Sequence, residues 1–382
     1  MQKRVVIAGG GTGGHLYPGI ALARALKKHD QEMNITFVGT KQGIETKVLP
    51  KEGFPLKTIY SGGLLGKKGL NRFLSLVKIP IGIFQSLAWL MRKRPGLVVG
   101  VGGYVSGPLV LSAWALRIPI LIHEQNSIPG TTNKWLGKIA DKIAVSFKES
   151  LKYFPANKAV ETGNMIRDEL CVSKKEADPQ PSGKFNILVL GGSQGAHSIN
   201  AGMVEAIDVL SQKKDQLHIV HQTGVMDCEP VKEQYAQKGV SADVRPFIHD
   251  MAEQYGKADL IICRAGATTL AEITACGKMA VLIPYPHATH NHQEHNARIL
   301  ESAQAAEMIL DKDVSGARLA QSIANAMEQP EKRRAMENNC YALGKRDATE
   351  KALQLCLDLL GQTSGRTGKN ESQNGKNALL CF

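Results

Sequence analysis

Val5-Val6-Ile7-Ala8-Gly9-Gly10-Gly11-Thr12-Gly13-Gly14-His15 opens the chain, and Ile187-Leu188-Val189-Leu190-Gly191-Gly192-Ser193-Gln194-Gly195-Ala196-His197 repeats its plan near the middle. Each is an aliphatic run, a glycine turn and a helical pattern, carried by Ile20, Leu22, Ala23 and Leu26 in the first and by Ile199, Val204, Ile207 and Leu210 in the second. A strand feeding a glycine turn and a helix is the opening unit of a doubly wound α/β domain. Further strand-like runs follow each copy: Ile35–Val38, Leu97–Val101, Ile118–Ile122 and Ile143–Val145, then Leu217–His221, Ala242–Arg245, Leu260–Cys263 and Ala280–Ile283. The fold class expected is α/β, with two Rossmann-like domains of parallel sheet. The boundary is placed at residues 163–185, where Cys171–Lys184 has the composition of a surface loop.

The expected division is 1–163 and 164–344, a last helical pattern over 345–360 that returns to the first domain, and a disordered tail over 361–382 that is Gly/Ser/Thr/Asn/Lys-rich as far as Asn377. A chain of 382 residues has room for two or three domains at roughly 150 each. Seven scattered cysteines with no Cys-x-x-Cys pair exclude a dense disulfide framework and common zinc spacings, and fit a reducing compartment. Met1–Arg4 runs straight into the first strand with no signal-peptide pattern. Leu97–Leu116 is uncharged, but Gly100, Gly102, Gly103, Gly107 and Pro108 break it into strand, turn and helix.

Charge is unevenly placed. Between Gly53 and His123 there is no Asp or Glu, and the nine cations Lys57, Lys67, Lys68, Arg72, Lys78, Arg92, Lys93, Arg94 and Arg117 supply 9 of the net +12. Phe73, Leu76, Val77 and Pro80, then Ile83, Leu87 and Leu90, recur among them at helical spacing. A basic surface rimmed with apolar residues suits an anionic membrane; a core helix pair with solvated lysines fits the same pattern. Nucleic acid is disfavoured, because stacking aromatics and a recognisable binding module are missing.

The glycine turns narrow the chemistry. Gly9-x-Gly11-x-x-Gly14 has the dinucleotide fingerprint, but the second strand ends Phe37-Val38-Gly39-Thr40-Lys41 without the acid that would hold an NAD ribose. No Gly-Lys-[Ser/Thr] occurs, which removes a Walker-type ATPase. Gly191-x-Ser193-x-Gly195 matches a hydrolase nucleophile elbow, with Asp259 and His292 following in order, yet that reading leaves the first turn unused. A third turn, Cys263-Arg264-Ala265-Gly266, precedes a helix starting near Ala267, with Glu272 about one turn in. All three turns share one capacity: helix N-termini and backbone amides offered to phosphate. A carboxylate at Glu272 suits ribose hydroxyls, or serves only as an early-helix acid.

With these residues assembled, the chain resembles the MurG family, bacterial N-acetylglucosaminyltransferases that convert lipid I to lipid II. The resemblance rests on Gly9–His15 with Pro18-Gly19, Gly102–Pro108, His123–Asn126, Thr131–Lys134, Gly163–Arg167, Gly191–Ala196, Cys263–Glu272 and Gln293–Ala297, in order along residues 4–345. It implies a GT-B glycosyltransferase fold with two parallel-sheet domains facing a cleft, the first taking acceptor and membrane and the second UDP-GlcNAc. On that analogy Ser193 and the turn Ala267-Thr268-Thr269-Leu270-Ala271 meet the diphosphate, Glu272 the ribose, the Ile248 backbone the uracil, and Gln293 the sugar. Thr12, Gly13, Gly14 and Asn126 complete the donor site, with Arg167 reaching in from the hinge region.

The implied reaction is a single inverting displacement needing a base near the acceptor hydroxyl. His15 is the candidate and Glu124 the reserve; His15 could instead hydrogen-bond acceptor phosphate. The resemblance calls for no cofactor and no bound metal. Its partners are UDP-GlcNAc, undecaprenyl-linked lipid I, an anionic membrane surface and other cell-wall synthesis and division proteins, with no nucleic acid. It places the protein peripherally on the cytoplasmic face of the bacterial inner membrane. A UDP-GlcNAc 2-epimerase on the same fold, or a non-catalytic UDP-sugar-binding membrane scaffold, are the alternatives. Met165 stands where the family usually has Pro, Gln304 where Gly is common, and His290 where an acid is usual.

Overall fold

Short β-branched runs that end in glycine form strands buried on both faces, which a parallel sheet covered by helices requires. The computed structural model describes residues 3–62, 69–170 and 183–361, with the backbone alone for 69–78. They divide into two compact units, one running to Met165 and rejoined from Asp347, the other Ile166–Arg346.

In the first unit the order is β1 (Arg4–Ala8), α1 (Gly13–His29), β2 (Asn34–Gly39), α2 (Glu45–Val48), β3 (Leu56–Thr58) and α3 (Gly69–Lys93). It continues with β4 (Leu97–Gly100), α4 (Ser106–Ala115), β5 (Ile120–Glu124), α5 (Thr131–Ile139), β6 (Lys142–Val145) and β7 (Ala159–Glu161). The sheet order is β3-β2-β1-β4-β5-β6-β7, every pair parallel. Alternation along β1 sends Val5 and Ile7 into one core and Val6 and Ala8 into the other. Residues 348–361 form a helix whose Ala352, Cys356, Leu359 and Leu360 are buried in the Val5–Ile7 core, so the chain's end closes its beginning.

The second unit repeats the plan with β8 (Phe185–Leu190), α6 (His197–Val209), β9 (Leu217–Gln222), α7 (Cys228–Lys238), β10 (Ser241–Arg245) and α8 (Met251–Lys257). Then come β11 (Leu260–Cys263), α9 (Ala267–Cys276), β12 (Ala280–Leu282), α10 (His292–Ser302), β13 (Glu307–Met308), α11 (Gly316–Glu328) and α12 (Pro330–Leu343). Its sheet order, β10-β9-β8-β11-β12-β13, is parallel throughout. In both sheets the order reverses beside the first strand, and open α/β sheets bind ligands at that switch point, beyond the strands' C-terminal ends.

Three edge strands, β3, β7 and β13, were not expected; at two or three residues they are too short for a periodic signal. The two helical patterns of the basic stretch form one helix of 25 residues, α3, with Pro80 inside it. Leu97–Leu116 is β4, a glycine turn and α4, as expected. Lys67, Lys68, the linker 171–182 and the tail from 362 lie outside the described residues, as do the side chains of Arg72 and Lys78.

The departure at Gln304 has a backbone cost. It follows α10 with φ +53°, its N–H donating to the Glu301 carbonyl at 2.9 Å, in the left-handed turn that usually ends on glycine. Replacing Gln304 with Gly is expected to stabilise the protein by about 1 kcal/mol, raising Tm by roughly 2–4 °C. Gln304→Ala keeps the Cβ and should gain nothing; an equal gain in thermal melts of both variants would exclude backbone strain.

Candidate active site

The first unit gathers its polar residues where β1, β4 and β5 end. α1 starts after Thr12 with no side-chain cap and no acid in its first turn, so its positive end is not neutralised by its own residues. His15 sits in that turn, its ring lying against Gly102: a Cβ there would be 2.6 Å from His15 Nδ1. Gly102 has φ +94°, a conformation only glycine adopts readily.

His15 Nδ1 lies 3.2 Å from Gln125 Oε1. Gln125 Nε2 donates to the Val101 carbonyl at 2.7 Å and sits 3.1 Å from His123 Nδ1. His123 is fully buried, and burial pushes its imidazole down to about 4, so it is neutral at pH 7.

Glu124 is also buried. Its Oε1 accepts the Asn126 amide at 2.9 Å and the Asn126 side chain at 3.3 Å; its Oε2 accepts Asn133 Nδ2 at 2.8 Å and the Gly130 amide at 3.3 Å. Burial raises its pKa against those four bonds. All four come from residues 126–133, so this carboxylate shapes the loop carrying Asn126.

Glu45, which the sequence reading passed over, lies fully buried behind the first glycine turn. It accepts the Gly11 amide at 2.9 Å and the Thr40 amide at 2.7 Å. A Cβ at Gly10, Gly39 or Gly43 would come within 2.5 Å of this side chain. Gly39 at the end of β2 and Gly43 two residues before the acid are the sequence trace of that cradle.

In the second unit, β8 and β11 end side by side. Ser193 is exposed on the turn after β8, where Gly192 and Gly195 have φ near +80°. A Cβ at Gly195 would stand 1.9 Å from the Thr223 carbonyl, so the turn folds tightly onto the end of β9. Beyond β11, α9 begins at Ala267 with neither side-chain cap nor first-turn acid; Thr268, Thr269 and Ala271 are half-buried and Leu270 is buried.

Glu272 is 8% exposed; Oε2 accepts the Tyr255 hydroxyl at 3.0 Å and Oε1 lies 3.4 Å from Arg167. Burial raises the Glu272 pKa and Arg167 opposes it. The Ile248 N–H donates to Gln222 Oε1 at 2.9 Å, while Gln222 Nε2 donates to the Gly192 carbonyl at 2.8 Å. The Ile248 N–H is therefore engaged within the protein. Gln293 Oε1 accepts the Tyr285 amide, fixing the loop after β12.

The hydrolase alternative fails on topology. Asp259 precedes β11 and accepts the Asn186 amide at 2.8 Å, at the end of the sheet opposite Ser193. His292 bonds the Thr289 carbonyl instead. Among the described residues no three His, Cys, Asp or Glu side chains are arranged to hold a metal ion.

Comparison with known proteins bears on both halves. The glycosyltransferase family 28 N-terminal domain matches residues 5–145 and the family 28 C-terminal domain residues 186–352. These define a two-domain glycosyltransferase. The UDP-N-acetylglucosamine–N-acetylmuramyl-(pentapeptide) pyrophosphoryl-undecaprenol N-acetylglucosamine transferase of Myxococcus xanthus is 46% identical over 371 residues, 97% of each chain. Its Geobacter sulfurreducens counterpart is 47% identical, covering 91% of this chain and 96% of its own. The solved MurG of Acinetobacter baumannii matches with TM-score 0.73 at 32% identity, over 92% of this chain and 98% of that one. The chain belongs to the MurG family of glycosyltransferases. A solved UDP-N-acetylglucosamine 2-epimerase matches at TM-score 0.66 and 15% identity, over 94% of this chain and 96% of its own, a likeness of fold alone.

The two buried imidazoles predict a pH dependence. His123 is held near 4 and His221, bonded to Tyr235 and Asn200, near 3, both by burial. Unfolded histidine takes its proton near pH 6.5, so below that the unfolded chain binds more protons and stability falls with pH until the folded values are reached. The expected loss from pH 7.5 to 4.5 is on the order of 3 kcal/mol per ring in urea melts. His221→Gln should flatten its share; a wild-type curve already flat across that window would mean the rings are not held neutral.

Proposed function

We propose that this enzyme transfers GlcNAc from UDP-GlcNAc to the 4-hydroxyl of MurNAc in undecaprenyl-pyrophosphoryl-MurNAc-pentapeptide, with inversion, forming lipid II. The observation that carries this reading is full-length similarity, at 46–47% identity, to enzymes named for that transfer. The site chemistry agrees with it. Diphosphate needs positive ends and amides, and α1, α6 and α9 each start beyond a strand and glycine turn with no first-turn acid. Ser193 and residues 267–271 take the diphosphate, Glu272 the ribose and Gln293 the sugar hydroxyls.

His15 takes the proton of the 4-hydroxyl as that oxygen bonds the anomeric carbon, and UDP leaves with the electron pair of the broken bond. Glu124 orders the loop that presents Asn126. An epimerase rests on the shared fold alone. UDP should be released only when a lipid I analogue is present, and His15→Ala should lower kcat by about 10²–10⁴-fold. N-acetylmannosamine formed without acceptor would overturn the transferase reading; undiminished transfer by His15→Ala would remove the base assignment.

The same reading places the enzyme peripherally on the cytoplasmic face of the inner membrane, where its lipid acceptor is. No helix among the described residues is long and apolar enough to cross a membrane. α3 turns Gly82, Ser86 and Leu90 inward while Ile81, Phe84 and Met91 stay exposed, Phe84 at 73%. α4 packs beside it, Ser112 Oγ donating to the Ile83 carbonyl, and leaves Leu111 and Trp114 exposed. Exposed Arg92 and Lys93 end α3, and exposed Arg94 and Arg117 lie just beyond α3 and α4. Apolar anchors beside cations suit anionic lipid, at about 1 kcal/mol per cation near the headgroups. Vesicles containing phosphatidylglycerol should bind the protein in a salt-sensitive way, and Phe84→Glu with Trp114→Glu should weaken binding at least tenfold; binding indifferent to both lipid charge and those changes would exclude this face.

A further inference from the structure

Gln125 stands between two histidines, and a backbone carbonyl decides which way its amide faces. The Val101 carbonyl only accepts hydrogen bonds, and it lies 2.7 Å from one end of the Gln125 amide, so that end is Nε2. The opposite orientation would set two carbonyl oxygens against each other. The second Nε2 hydrogen points to His123 Nδ1 at 3.1 Å. His123 therefore carries its proton on Nε2, 3.3 Å from Ser146 Oγ, as its neutral buried state allows. The other end of the amide, Oε1, faces His15 Nδ1 at 3.2 Å and has no hydrogen to give.

We propose that Gln125 is a positioning residue that holds His15 as the Nδ1–H tautomer, making Nε2 the nitrogen that receives the acceptor proton. The direction of every bond from Val101 to His15 then follows from one carbonyl. Gly102 completes the arrangement, since any side chain there would strike the ring at Nδ1. In the transfer, the proton passes from the acceptor 4-oxygen to His15 Nε2 while that oxygen bonds the anomeric carbon and UDP departs with the electron pair. Nδ1–H stays on Gln125 throughout. An uncharged amide orients the ring without placing an anion against it, as a carboxylate would. The proposal rests on His15 being the base, and the two can fail separately.

The test is long-range proton–nitrogen NMR of the full chain labelled with ¹⁵N-histidine at a pH where His15 is neutral, its signals assigned by their loss in His15→Gln. The expected spectrum has His15 Nδ1 protonated and Nε2 unprotonated. In Gln125→Met, similar in shape but only a weak acceptor and no donor, the two tautomers should mix and kcat should fall about tenfold, with the KM for UDP-GlcNAc within twofold. A wild-type His15 protonated on Nε2 overturns the proposal without needing any variant, and so does Gln125→Met with mixed tautomers and full kcat. If His15→Ala transfers normally, the base reading fails in the activity assay, whatever tautomer the spectrum shows.

Discussion

The hydrogen bond from Gln125 to the Val101 carbonyl is the contact on which the first unit's site depends. Val101 follows β4 at the switch point, and its amide donates to the Ala8 carbonyl at 2.8 Å, so its peptide planes are held by the sheet. Its Cγ2 would stand 2.1 Å from a Cβ at Gly9, which is why the turn after β1 must open on glycine. Its carbonyl orients Gln125, and Gln125 faces His15. One residue of apolar core thus sets the path of the first glycine turn and anchors the amide that faces His15.

The two units solve the same problem with different chemistry. Each must hold a glycine turn rigid where no side chains are available to pack. In the first, the buried Glu45 carboxylate collects the Gly11 and Thr40 amides. In the second, the neutral Gln222 ties the Gly192 carbonyl to the Ile248 amide, while Gly195 and Gly224 meet back to back. The difference has an electrostatic consequence. A carboxylate beneath Gly9–Gly11 is a poor neighbour for an anion, whereas the start of α1 at Thr12–Gly14 carries no first-turn acid. No such charge lies under Gln222, which leaves the whole turn around Ser193 suited to a diphosphate.

What was legible in the sequence was what depends on local pattern. Buried parallel strands need unbroken aliphatic runs, and turns at their ends need glycine, so β1, β4, β8 and β11 and the start of α9 were readable within a residue or two. Edge strands of two or three residues carry no period, and β3, β7 and β13 went unseen. Glu45 and Gln222 were missed for a different reason. Their roles come from backbone groups distant in sequence, the Gly11 amide 34 residues from Glu45 and the Gly192 carbonyl 30 residues from Gln222, which no local window contains. Glu124 shows the reverse case. An acid in a matching motif reads as chemistry, yet its partners are its own loop.

The same contrast between sum and placement governs the charge. A net +12 spread evenly would give a weak field over the whole surface. Crowding nine of those cations into an acid-free stretch concentrates it on one segment of the chain, and among the described residues Arg92, Lys93 and Arg94 gather at the end of α3 and Arg117 just beyond α4. Cations alone would bind any polyanion. What narrows the partner is the apolar side chains beside them: Phe84, Ile81, Met91 and Trp114 stay exposed on helices whose opposite faces are well packed. Exposing such groups to water is unfavourable in the free protein, and an interface offering both hydrocarbon and phosphate relieves it while satisfying the cations. A nucleic acid offers phosphate but no hydrocarbon, and a neutral bilayer offers hydrocarbon without the countercharge. An enzyme whose acceptor carries a diphosphate on an undecaprenyl chain needs a surface suited to both.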